Sequence, residues 1–169
     1  MKIGLPKSGI VIKFDNKLLP MNSLFESNSA AGIIYRLAKL HQNTKSLWGK
    51  MNVSQMLAHC QVPLQAALGE KQFKRTFFGF VFGRIGKKRF MKEGPFKRNL
   101  PTDPRFVVRD DRDFDKEKKQ LQVLIHRFAT ADPPTIAKKR HPFFGNMTQE
   151  EWGKLQWKHL DHHLRQFGV

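Results

Sequence analysis

The sequence predicts an all-α fold: a bundle of four amphipathic helices with one additional short helical segment. Three observations predict it. Four segments carry apolar residues three and four positions apart, the spacing of one helix face. Two of them open on capping signatures. No segment alternates polar and apolar residues for long enough to form a sheet, and the strand-like spot Val107-Val108 is too short.

The elements follow in chain order. Residues 1–20 mix Gly, Pro, Lys and isolated β-branched residues without helical period. Met21 then opens a run with the look of a natural start. Residues 1–20 are therefore expected to be a loose leader or to precede the native start, and 21–169 to form a single domain. The first helix is expected over 29–41, with Ile33, Ile34, Leu37 and Leu40 as its stripe. The second is expected over 52–68, opened by Asn52 with Gln55 three residues on and stopped by Gly69. A third segment over 73–91 is interrupted by Gly79, Gly83 and Gly86. After a loop over 93–112, the fourth helix is expected over 113–129. A second loop over 130–147 carries Pro133, Pro134 and Pro142. The last helix opens on Thr148-Gln149-Glu150-Glu151, a capping box, and runs to Phe167.

Composition narrows the function. Thirty-one Lys and Arg against 14 Asp and Glu give a net charge of +17. This favours acidic ligands, anionic membrane or nucleic acid as partners. No recognised nucleic-acid motif accompanies the charge, so specific nucleic-acid binding is not expected. The longest apolar run, near 77–82, is far too short to span a bilayer, and the amino-terminus lacks the apolar core of a signal peptide. The single cysteine, Cys60, excludes an internal disulfide, and a cytoplasmic setting is the simplest expectation. The expected partners are a small, anionic substrate and a second copy of the chain as a homodimer.

The histidines carry the chemistry. His159 and His163 are four apart on the last helix, and His162 is also within reach of His159. Spacing does not choose between them; the helical wheel does. With about 100° per residue, Glu151, Lys154, Lys158, Asp161 and Arg165 gather on one side, read as solvent. Trp152, Leu155, Leu160, Leu164 and Phe167 gather on the other, read as core. His159 and His163 face inward, and His162 falls on the border. On the second helix Ser54, Gln61 and Gln65 mark a polar side. His59 flanks the buried side, four residues before Pro63, where a kink or an unpaired carbonyl is expected. Inward imidazoles suit a divalent ion such as Zn or Ni, and three protein ligands leave an open position. The bland alternative is histidines bonded to backbone groups. Pattern alone does not bring His59 beside the pair.

The run His159-x-x-His162-His163-x-x-Gln166, together with Trp48-Gly49-Lys50-Met51 and Met56-Leu57-Ala58-His59, resembles the DinB-like, or YfiT-like, metalloprotein superfamily. With His141-Pro142-Phe143-Phe144-Gly145 added, the chain is most similar to a small branch of unknown function, over about 21–169. The resemblance implies a four-helix bundle with a long crossover connection. It also implies one divalent ion on His59, His159 and His163. Characterised members of the superfamily include transferases and isomerases that use a low-molecular-weight thiol, and others are suspected hydrolases. A metal-dependent thiol transferase or hydrolase is therefore expected.

No carboxylate base is found on the inward faces, which tilts the expectation towards thiolate binding over water activation. A carboxylate from the 93–112 loop could still reach in. Gln166 could orient a ligand histidine or a substrate, or be a buried amide bonded to backbone. His141 could be a fourth ligand, a substrate contact or a residue that closes its loop. His162 and Trp48 stand as further neighbours of the site. Cys60 is expected to be a core thiol. The basic, Phe-rich segment over 71–92 supports a competing expectation, a non-enzymatic protein that binds anionic membrane or nucleic acid.

Overall fold

The computed structural model describes residues 22–75 and 77–169; the expectations for 1–20 and for Met21 lie outside the described residues. Among the described residues there are six α-helices: α1 Ser27–Ala38, α2 Val53–Leu68, α3 Phe77–Phe90, α4 Phe114–Ala129, α5 Pro133–Ala137 and α6 Gln149–Gln166. A 3₁₀ turn, Pro104–Phe106, lies between α3 and α4. Among the described residues there is no β-strand, only an isolated bridge between His141 and Gly145.

Local chemistry sets the helix boundaries. Asn52 and Gln55 exchange side-chain bonds with each other's backbone at the start of α2, at 2.8 and 3.1 Å. Thr148 and Glu151 do the same for α6. Gly69 ends α2 in the left-handed conformation, at φ 83°, where a side chain would be strained. Three elements differ from expectation. α1 spans Ser27–Ala38 instead of 29–41, because Lys39 caps it and the His41 N–H turns to the Thr44 hydroxyl. α3 begins at Phe77, because Phe73 leaves the helical path to pack edge-on against Phe106 at 4.9 Å. The 130–147 loop contains α5. Asp132 caps it, two prolines pre-set its first turn, and Ile136 holds it to the core.

Helices α1, α2, α4 and α6 share one core. α2 packs on α4 and on α6, and α1 packs on the same two helices. Leu37, Met56, Leu57, Leu64, Ile125 and Leu160 are among the fully enclosed side chains. Each such Leu or Ile contributes about 1.5–3 kcal/mol of burial.

Enclosure corrects the wheel at six positions. Ser54, Gln61 and Gln65, expected on a polar side of α2, are buried, because α2 is covered by two helices. Gln61 survives there by donating to the Glu117 carboxylate at 2.6 Å. Lys154, Lys158 and Asp161, expected in solvent on α6, are also buried. The Lys158 ammonium donates to the carbonyls of Phe90 and Lys92, at 2.9 and 2.6 Å, and so closes the end of α3. Asp161 accepts from Arg36 at 2.7 Å and from Arg165 at 2.9 Å. Residue type marked these positions as polar, but a paired or carbonyl-bound charge tolerates burial.

Candidate metal centre

α2 and α6 face each other across the core, and each carries histidine on the facing side. His59 stands near the middle of α2, which runs unbroken through Pro63. The Pro63 carbonyl accepts from the Gln156 amide of α6 at 3.3 Å, so the two helices are bonded one turn beyond His59. Ligand nitrogens of His59, His159 and His163 lie within 4.8 Å of one another, and this group could hold a metal ion. Among the described residues no carboxylate or thiol joins it. His162 is not one of this group.

The hydrogen bonds fix which nitrogens are free. His59 Nδ1–H donates to the Phe106 carbonyl at 2.8 Å, which leaves a lone pair on Nε2. Gln166 donates its amide N–H to the Trp48 carbonyl at 2.7 Å and thereby turns Oε1 towards His163. His163 Nδ1–H donates to that oxygen at 2.8 Å, so its Nε2 also keeps a lone pair. A carbonyl or amide on the far nitrogen is the usual support of a metal-ligating imidazole. His159 is different: its Nδ1 is buried with no hydrogen-bond partner among the described residues. Its Nε2 lies 3.1 Å from His59 Nε2. Two nitrogens bound at 2.0–2.1 Å to a tetrahedral ion would be about 3.3 Å apart. The residues present therefore fit a divalent ion. An all-imidazole donor set suits Zn or Ni over Mg or Ca.

Electrostatics keeps the rings neutral. Burial lowers the His59 pKa, against the bond to Phe106. Burial, then the charge of His59, brings His163 down to about 3, against the bond to Gln166. Burial and then His163 hold His159 well below the usual range. Neutral imidazole is the form that ligates metal.

The surrounding residues divide by contact. His162 is half-buried, with its ring 5.1 Å from that of His163, edge-on to Trp48 at 5.9 Å and tilted against Phe96 at 6.0 Å. The Arg98 guanidinium covers the Trp48 ring at 4.4 Å. His141 is not in the cluster. Its Nδ1 accepts the backbone N–H groups of Phe143 and Phe144, both at 3.1 Å, and its ring stacks on Phe144. Of the roles open to it, loop closure is the one its contacts show. Cys60 is buried beside Met56, and burial pushes its thiol pKa up, as for a core thiol.

Chain position explains Gly49. It adopts φ +83°, and a Cβ there would collide with the Gln166 amide. The Trp48-Gly49 pair thus supplies both the carbonyl that turns Gln166 and the space it crosses.

A family model described as a protein of unknown function (DUF1569) matches residues 22–168. The chain belongs to the DUF1569 family. The match spans every element from α1 to α6, and so includes all three histidines. No curated protein and no solved structure matches this DUF1569 chain.

Sequence reasoning missed three participants here: the Phe106 carbonyl, Phe96 and Arg98. All lie between α3 and α4, where there is no period to read. The Trp48-Gly49 run was the available signal for the Gln166 contact.

Proposed function

We propose that this DUF1569 protein is a divalent-metal-dependent enzyme. His59, His159 and His163 are its ligands, in a DinB-like four-helix arrangement of one domain with a long crossover. The observation that carries this reading is the pair of imidazoles pinned through Nδ1. Phe106 and Gln166 hold His59 and His163 so that both Nε2 lone pairs point into one cluster. A purely structural pair of histidines would use its inner nitrogens for protein partners. Instead, both Nε2 atoms keep lone pairs, and that of His59 faces only the third imidazole of the cluster, His159, at 3.1 Å.

A bound Zn or Ni ion with an open position would supply Lewis acidity, a water of lowered pKa or a thiolate site. The chain's own residues would do the rest. Gln166, held by Trp48, orients His163. His162, between Trp48 and Phe96, is placed to touch a substrate. Arg98 over Trp48 gives an anionic small molecule or a low-molecular-weight thiol a cationic neighbour. With no carboxylate in the cluster, thiol transfer is favoured over hydrolysis.

The test is elemental analysis of tag-free protein, with His59→Ala and His162→Ala beside it. About one ion per chain in wild type and His162→Ala, lost in His59→Ala, is expected. No ion in wild type after reconstitution with Zn or Ni refutes the reading, and equal loss in both variants refutes the ligand assignment.

A further inference from the structure

Helix α3 is built inside out. Its buried side carries Gly79 and Gly83, with half-buried Gly86 between them and Phe90. A Cβ on Gly83 would strike the Phe143 carbonyl, and one on Gly86 would meet the Phe143 ring at 2.9 Å. The helix therefore lies almost backbone-to-backbone on the turn that His141 closes. Phe80, Val81 and Ile85 point the other way. Phe80 and Ile85 are each 71% exposed and Val81 is 48% exposed. Arg75 lies over the Phe80 ring at 5.2 Å and still leaves the side chain that open.

Charge on this element is one-sided. Residues 71–92 hold Lys71, Lys74, Arg75, Arg84, Lys87, Lys88, Arg89 and Lys92 and no acidic residue. Lys87 is engaged by Glu151 and the Asn146 carbonyl. Arg84, Lys88 and Arg89 are exposed on the outer side. Phe80 and Val81 stand in the amino-terminal half of α3, and Ile85 stands among these cations in the carboxy-terminal half.

We propose that the outer face of α3 docks on the surface of an anionic phospholipid bilayer. An amphipathic helix lies in the interface when apolar side chains can enter the acyl boundary while Lys and Arg meet lipid phosphates. The two observations select this partner together. A second copy of the chain would cover the apolar residues but set Arg84, Lys88 and Arg89 against themselves. Nucleic acid would neutralise the cations, but Val81 and Ile85 have no π face on which a base could stack. A bilayer takes both. The proposal is independent of the metal reading, since no histidine of the cluster lies on α3.

Co-sedimentation of the full chain with vesicles tests it, using phosphatidylcholine alone and phosphatidylcholine with 30% phosphatidylserine at near-physiological salt. Two variants separate the terms: Phe80→Ser with Ile85→Ser, and Arg84→Gln with Lys88→Gln and Arg89→Gln. All five positions are exposed, and circular dichroism checks the fold. Binding to the serine-containing vesicles alone, reduced at least tenfold in each variant, is the expected result. Unchanged binding by Phe80→Ser with Ile85→Ser would show only attraction by overall charge and overturn the proposal. So would no vesicle binding by wild type, a dimer abolished by that variant, or oligonucleotide binding lost in it while vesicle binding persists.

Discussion

The Nε2 atoms of His59 and His159 lie 3.1 Å apart, although 100 residues separate them in the chain. This contact joins α2 to α6 through two neutral rings that cannot satisfy each other fully. His59 Nε2 carries a lone pair, so without an ion His159 must donate there and leave Nδ1 bare and buried. A cation held by both Nε2 atoms would replace this single contact with two ligand bonds, while His159 Nδ1–H would stay buried without a partner. Zn or Ni added to metal-free protein is therefore expected to raise its stability. The gain is about 2.7 kcal/mol when free metal exceeds the dissociation constant a hundredfold. Thermal melts with metal and then with chelator check this, and His163→Ala should abolish the response.

Gly49→Ala should act on the same site from outside it. The substitution meets two obstacles at once: a left-handed backbone at φ +83° and the Gln166 amide in the space of its Cβ. A loss of about 2 kcal/mol in stability is expected. Metal affinity should fall about tenfold, because Gln166 no longer orients His163. Calorimetric titration with Zn measures it. Adding Gln166→Ala to Gly49→Ala should cost little more affinity, since both changes break one connection.

Two helical glycines should respond in opposite directions to alanine. Gly32 is exposed on α1 with nothing within 4 Å of a Cβ, so Gly32→Ala should stabilise by about 0.5–1 kcal/mol. Gly153 is buried in α6, where a Cβ would strike the Ser23 hydroxyl and meet the Phe25 ring at 2.8 Å. The Gly153 carbonyl also accepts from Leu24 N–H at 3.0 Å, which holds the entering chain against the helix. Gly153→Ala should therefore destabilise by about 1–3 kcal/mol. Urea denaturation of both variants measures the two signs.

His141 predicts a pH dependence. Burial lowers its folded-state pKa to about 4, and its Nδ1 is occupied by two backbone N–H groups. The unfolded chain takes up a proton near its ordinary pKa of about 6.5. Between those values the unfolded state binds more protons, so stability is full above about 6.5 and falls as pH drops towards 4. The slope from one such group is about 1.4 kcal/mol per pH unit. His141→Asn should lower the measured slope of metal-free protein by about one proton in that window. Denaturant titrations at several pH values give both slopes.

Much of this architecture was legible in the chain because it is local. Capping boxes at Asn52 and Thr148, the stop at Gly69 and the apolar stripes locate α2, α4 and α6 to within a residue or two. The inward turn of His159 and His163 also followed from the wheel, because two residues four apart share a face in any helix. Prolines misled at α5, where Asp132 turns them into a helix start. The hidden face of α6 was misread at Lys154, Lys158 and Asp161. Periodicity reports residue type, and the burial of Asp161 rests on Arg36, 125 residues away, which adds its charge to that of the neighbouring Arg165.

The sequence by itself determined the helices, their caps, the strong positive charge and one inward pair of histidines. Each of these depends on neighbours within a turn or two of chain. Tertiary structure alone decided that His59 meets that pair, that Phe106 and Gln166 hold the rings by Nδ1, and that α3 turns Gly79 and Gly83 in and Phe80 and Ile85 out. Those features depend on which faces are covered by distant elements, and coverage is a property of packing that no local period encodes.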